Sequence, residues 1–325
     1  MSKRFAIISI GTNSTRLLLA DVAPATARVE TARSVGTRIG EGLGEQGRLG
    51  DEPIQRTLEA IGQFQRAVKG HYIRLFAVAT SALRRAENAE DFSQRIEALL
   101  GTPLRILTGE EEATASYRGA LTAFAELRGE RVGVLDVGGG STEYAIGTST
   151  EPEKVISCET GAVRLTEAVP ELAGRDGTVK EESVERARAI ARKALEPLAE
   201  CAPVERLALV GGSATTTAGM LRGRRTAIDS YDLTRADLRR ALERLLPMPL
   251  EERKKVAGMK PQRADILPGG IIAIETAMEI IGSDKAVATT SDLLLGILLQ
   301  ERDASAGQAQ VVYTKASETR GRFRS

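Results

Sequence analysis

The sequence predicts an α/β protein of two domains, and three observations carry that expectation. Apolar strand-like runs alternate with runs of helical period, the pattern of sheets flanked by helices. A strand–turn–strand segment near the start recurs after Arg131 with its small-residue turn intact. At 325 residues the chain is also long enough for two domains of ordinary size, each burying its own core. The 42% apolar and 27% charged shares are those of a globular chain, which excludes collagen-like repeats, a coiled coil and disorder.

The first hairpin takes Phe5 to Ile10 as a strand, Gly11, Thr12, Asn13 and Ser14 as the turn, and Thr15 to Ala20 as the returning strand. The second takes Val132 to Val137, the turn Gly138, Gly139, Gly140 and Ser141, and then Thr142 to Ile146. Aligned on the turns, Gly11 meets Gly138, Ser14 meets Ser141, Thr15 meets Thr142 and Ser9 meets Asp136. Between the hairpins, Leu58, Ile61, Phe64 and Val68 mark a helix over 54–68, Leu75 to Val78 a strand, and 88–100 a second helix. Beyond the second hairpin, Thr178 with Glu181 has capping-box spacing ahead of a helix, and Leu207 to Val210 makes a strand ending in Gly211, Gly212 and Ser213. Thr234 with Asp237 opens another helix, and 269–281 is an apolar one. The domain boundary is expected near Gly129, giving domains 1–128 and 129–302 and a mobile tail over 303–325.

Forty-five basic against forty-four acidic residues leave a formal charge of +1, so no global field draws nucleic acid or an anionic membrane, and an anion must be caught locally. No apolar stretch reaches the ~20 residues of a membrane helix. Cys158 and Cys201 form neither a disulfide framework nor a CxxC site, which fits a reducing cytoplasm. With His71 the only histidine, a zinc site and a Ser-His-Asp triad are both disfavoured.

A turn of glycines and small hydroxyl residues lets backbone N–H groups converge on an oxyanion. One such turn reads equally well as an ordinary hairpin, but a second copy and the exit at Gly211 to Ser213 argue for a phosphate clamp. Asp136, just before its turn, is placed to hold Mg²⁺ directly or through water, and Glu143 returns on the next strand towards the same place. Three carboxylates open the segment at Glu110, where they suit a helix N-terminus. Glu110 reads as such a dipole residue, and Glu112 as the alternative general base for water. Arg84, directly after a strand, is placed for bidentate phosphate binding, while Arg38, Arg164 and Arg263 are weaker candidates for lining a polyanion's path.

These pieces resemble the exopolyphosphatase and guanosine pentaphosphate phosphohydrolase family, within the actin-like ATPase superfamily. The matching segments are Ile10 to Ser14, Ala79 to Arg84 with Asn88, Gly109 to Ala113, Asp136 to Glu143, Gly161 to Leu165, Gly211 to Ser213 and Arg263 to Asp265. The resemblance implies two ribonuclease-H-like domains with an interdomain cleft, Mg²⁺ as cofactor, and attack of water on the terminal phosphate of polyphosphate or a guanosine alarmone. It implies Glu112 as base, Glu143 as its acidic partner at metal and water, Asp136 as a metal-associated carboxylate, Arg84 as a phosphate ligand and the three small-residue turns as cradles. A homodimer is also implied. Two departures stand out: Ser9 occupies the place of a usual Asp, which predicts weaker metal binding or slower turnover, and Ser291 to Gly296 replaces a usual Gly-Leu-Arg-Glu-Gly. A kinase of the same fold, an ATP-driven actin-like switch and a member that only binds polyphosphate or alarmone are the competing readings.

Overall fold

The computed structural model describes residues 3–23, 26–124, 129–201, 203–225 and 230–306. Packing divides the chain into two units, one of residues 1–126 with 293–325 and one of residues 127–292.

In the first unit β1 (Lys3–Ile10) and β2 (Thr15–Ala23) pair antiparallel, with Ile10 opposite Thr15, and β3 (Thr26–Val35) extends the meander. There follow α1 (Leu43–Gln46), α2 (Asp51–Val68), β4 (Arg74–Ala79), α3 (Ser81–Arg85), α4 (Ala89–Leu100), β5 (Leu104–Ile106) and α5 (Gly109–Leu121). β4 runs parallel to β1 and β5 parallel to β4, so the sheet order is β3-β2-β1-β4-β5. β1 is buried on both faces, which explains its unbroken apolar run.

The second unit repeats the plan with β6 (Val132–Val137), β7 (Thr142–Gly147) and β8 (Lys154–Cys158), then α6 (Ala162–Ala168), α7 (Glu181–Leu195), β9 (Arg206–Val210) and α8 (Gly211–Leu221). It continues with β10 (Tyr231–Thr234), α9 (Arg235–Leu245), α10 (Leu250–Arg253), α11 (Leu267–Ile280) and β11 (Lys285–Ala288). Its order is β10-β11-β9-β6-β7-β8, the first unit's order with one strand added at the edge. The predicted duplication is therefore a duplication of the sheet.

The last described element, α12 (Leu293–Ala306), packs in the first unit, not the second. Its Leu294, Ile297 and Leu298 join Phe5, Ile7 and Ala115 on one face of the first sheet, while Ala6, Ile8 and Ile10 face Ile61, Phe64 and Phe92 on the other. Gly296 makes the crossing possible, since a Cβ there would overlap the Ala115 carbonyl oxygen on α5. This corrects the expected boundary at 302: the second unit ends at Asp292, and the apolar stretch after it exists to cover the first sheet. Of the expected tail, 303–306 continue α12, and 307–325 lie outside the described residues.

The expected helices at 54–68, 88–100 and 269–281 and the strands at 75–78 and 207–210 are present within a few residues. The capping box at Thr178 is not: α7 starts after Lys180 without a side-chain cap, and the Thr178 hydroxyl donates to the Pro247 carbonyl at 3.3 Å. The one at Thr234 and Asp237 is formed.

Candidate active site

The two turns are built by the same backbone bonds. Gly11 N–H donates to Ser14 O at 3.0 Å, and Gly138 N–H to Ser141 O at 3.0 Å. In each unit the loop after the third strand folds back onto the turn: Gly40 N–H donates to Thr12 O at 3.0 Å and Ala162 N–H to Gly138 O at 3.0 Å. Buried hydroxyls tie these loops down, Thr15 to the Thr37 hydroxyl at 2.7 Å and Thr142 to the Thr160 carbonyl at 2.7 Å. None of Gly11, Gly138, Gly139 and Gly140 has a positive φ, and a Cβ on Gly11 or Gly138 would stand 3.3 or 3.1 Å from the Ser14 or Ser141 carbonyl oxygen. Gly161 shows the same need from above, since a Cβ on it would lie 2.7 Å from the carbonyl oxygens of both Gly138 and Gly139.

Across the second sheet, Asp136 lies directly opposite Glu143, and Glu143 directly opposite Ser157. Direct cross-strand partners share one face with Cβ atoms ~5 Å apart, so these three side chains form a row beside the turn. Glu143 is 2% exposed and accepts a hydrogen bond from the Ser157 hydroxyl at 3.1 Å. The Asp136 carboxylate meets the start of α8: a Cβ on Gly211 would lie 2.7 Å from its Oδ1, and Gly211 also has φ +89°, so glycine is required twice over. Gly212 is covered by the Arg263 guanidinium, which fills the place where a Cβ would stand, and Ser213 is buried against Gly270. The second unit thus gathers Asp136, Glu143, Gly138 to Ser141 and Gly211 to Ser213. Ser157 is invisible to sequence reasoning, because finding it requires the register of β8.

The equivalent row in the first unit has different chemistry. Ser9 lies opposite Arg16, a hydroxyl and a guanidinium in the places of Asp136 and Glu143. Here the carboxylate comes instead from α5, whose N-cap Thr108 forms a capping box with Glu111 at 3.1 and 2.8 Å. Burial pushes the Glu111 carboxyl up, but the Thr108 N–H and the Arg105 guanidinium outweigh it and hold it below its ordinary value. Glu110 is exposed and Glu112, at 6% exposure, points inward. Arg84 on α3 donates to the Leu107 carbonyl at 2.8 Å and pairs with the Glu112 carboxylate. α3 begins where Thr80 N–H donates to Ile10 O at 3.2 Å, so Arg84, Glu112 and the turn Gly11 to Ser14 belong to one local assembly. The Arg84–Glu112 pair has no signature in the sequence.

Two observations bear on a metal and an anion. Neighbouring carboxylates repel across a sheet unless a cation joins them, and a hard cation bound by one or two carboxylates plus water and phosphate oxygens is the Mg²⁺ habit. Asp136 and Glu143 are two carboxylates on one face of the sheet, a donor set that suits Mg²⁺ completed by water and phosphate oxygens; among the described residues no group of three or more His, Cys, Asp or Glu side chains is gathered. Each unit also buries a polar atom with no hydrogen-bond partner beside its candidate cradle, Asn13 Oδ1 and Ser213 Oγ. No helix among the described residues is long and apolar enough to cross a membrane.

The model of the Ppx/GppA phosphatase family matches residues 21–301. Exopolyphosphatase 2 of Mycobacterium tuberculosis is 36% identical, over 91% of this chain and 98% of that protein. Exopolyphosphatase 1 of Mycobacterium leprae is 27% identical, over 98% and 95% respectively. Among solved structures, the Aquifex aeolicus member of the Ppx/GppA family superposes with a TM-score of 0.77 at 28% identity, covering 95% of this chain and 100% of that one. An exopolyphosphatase-like protein reaches 0.84 at 28% identity over 92% and 98%.

Proposed function

Because the chain belongs to the Ppx/GppA phosphatase family, we propose that it is a Mg²⁺-dependent phosphohydrolase that removes the terminal phosphate of inorganic polyphosphate or of guanosine pentaphosphate. The observation that carries the reading is the cross-strand pair of Asp136 and Glu143 set against the Gly138–Ser141 turn and the start of α8. It supplies negative charge for one divalent cation and amide-rich backbone for phosphate oxygens.

Asp136 and Glu143 would hold Mg²⁺, which when bound would offset the charge of the phosphate oxygens, and the Ser157 hydroxyl fixes the Glu143 carboxylate. The turns Gly11 to Ser14 and Gly138 to Ser141, with Gly211 to Ser213, bind phosphate oxygens through backbone amides. Arg84 takes a phosphate oxygen in exchange for its pairing with Glu112, and the released carboxylate orients a water. Water oxygen attacks the terminal phosphorus, its proton passes to Glu112, and the bond to the bridging oxygen breaks, so the chain leaves one phosphate shorter. The free thiols Cys158 and Cys201 suit work in a reducing cytoplasm. A homodimer completes the proposal.

The test is phosphate release from polyphosphate and from guanosine pentaphosphate, with Mg²⁺ and no acceptor. Glu112→Gln lowers kcat by roughly 10²–10⁴ while its melting curve stays native-like. An undiminished rate moves the base elsewhere, and release that requires an organic acceptor replaces hydrolysis by a kinase.

A further inference from the structure

We infer that the second unit carries a track for the distal part of a long polyphosphate chain, running along α8 from the Gly211 end to Arg224 and Arg225. The inference rests on the hydrolase reading above and names the substrate class it serves. In a chain with a formal charge of +1, segments 219–225 and 254–263 hold seven cations and no acidic residue. Two sets of backbone approaches lay these segments side by side. At the start of α8, the Arg263 guanidinium covers Gly212. Towards its end, a Cβ on Gly258 would overlap the Gly219 carbonyl oxygen, and Arg224 N–H donates to that same oxygen at 3.0 Å. Segment 258–263 therefore follows the helix between Gly212 and Gly219, about 10 Å at 1.5 Å per residue.

Arg263 and Lys260 lie on the segment that follows the helix, Arg222, Arg224 and Arg225 follow its last residue, and Lys255 precedes Gly258 by three residues; Lys255, Arg224 and Arg225 are exposed, Arg222 lies over the Tyr231 ring at 5.7 Å, and Lys254 is offset by Glu251 at 2.6 Å. A helix C-terminus favours a cation or two, but not a row continuing back to the N-terminal end, where the dipole repels it. The row starts where Gly211 meets Asp136, the place proposed for Mg²⁺ and the terminal phosphate. A linear polyanion anchored there meets cations on segment 258–263 and again at Arg224 and Arg225, whereas a compact nucleotide does not extend to Arg224.

The full chain is assayed with Mg²⁺ on long-chain polyphosphate and on tripolyphosphate. Combined Arg224→Gln, Arg225→Gln and Lys255→Gln raises KM for the long chain at least tenfold more than KM for tripolyphosphate, and a control removing charge at Arg186 and Arg192 on α7 does not. The salt slope of long-chain binding falls by roughly 0.7 for each phosphate that the variant no longer neutralises, as for single-stranded polyanions. Equal effects on both substrates, or on neither, overturn the track. So does an RNA oligonucleotide whose binding is lost in the triple variant while long-chain KM is unmoved. If the native chain hydrolyses nothing, the hydrolase reading fails, and anisotropy of labelled long polyphosphate still decides the track by a tenfold difference between native and variant.

Discussion

The turns at Gly11 and Gly138 share their backbone and differ in their charge. Both close by a 3.0 Å bond from the first residue to the fourth, both are overlaid by a glycine-bearing loop, and both sit at the end of a central strand. Yet position 9 faces Arg16 in one unit, where position 136 faces Glu143 in the other. The duplicated scaffold thus repeats the turn, and only the second unit sets two carboxylates opposite each other beside it. The first unit keeps its acid elsewhere, on α5, paired with Arg84. On the function proposed above this is a division of labour, with the metal assigned to the second unit and the base to the first.

Three substitutions break or sharpen that contrast. Asp136→Asn makes the second row resemble the first. It lowers kcat/KM by on the order of a hundredfold or more through loss of a metal carboxylate, and it raises metal-free stability by ~0.2–1 kcal/mol through relief of the carboxylate pair. Phosphate-release kinetics and thermal melting in chelator read the two effects, and loss of activity with loss of stability makes Asp136 a merely structural residue. Ser157→Ala frees the Glu143 carboxylate at the cost of one hydrogen bond to a charged group, ~1.5–3 kcal/mol. The expected outcome is about tenfold in kcat/KM with a raised Mg²⁺ requirement, restored in part by Ser157→Thr. Ser9→Asp makes the first row resemble the second, but Arg16 opposite absorbs much of the new charge. Mg²⁺ half-saturation tightens by about two- to fivefold, up to roughly 1 kcal/mol of screened attraction, and unchanged affinity and turnover refute any role for position 9.

Much of this is legible in the sequence because it depends on local pattern. The alternation of small and apolar residues fixes both hairpins, and their similarity fixes the duplication. In the sequence Glu112 is singled out only against the dipole reading and for want of a histidine; the structure adds that the capping box takes Glu111 and that Glu112 is buried. What the sequence conceals depends on register and long-range packing. β3 gives no signal because its residues are largely exposed on an edge and carry no alternation of apolar side chains. Ser157 and Arg16 matter only through the residue directly across the sheet. The return of α12 to the first unit is carried by Gly296 fitting against Ala115, an approach between residues far apart in the chain.

The most direct measurement of the division between the units is Mn²⁺ binding, as a paramagnetic stand-in for Mg²⁺, followed by electron paramagnetic resonance with phosphate present. Glu143→Gln and Asp136→Asn should abolish the site, and Ser9→Ala and Arg16→Gln should leave it in place. A site that survives Glu143→Gln, or one that vanishes with Arg16→Gln, contradicts the assignment of the metal to the second row.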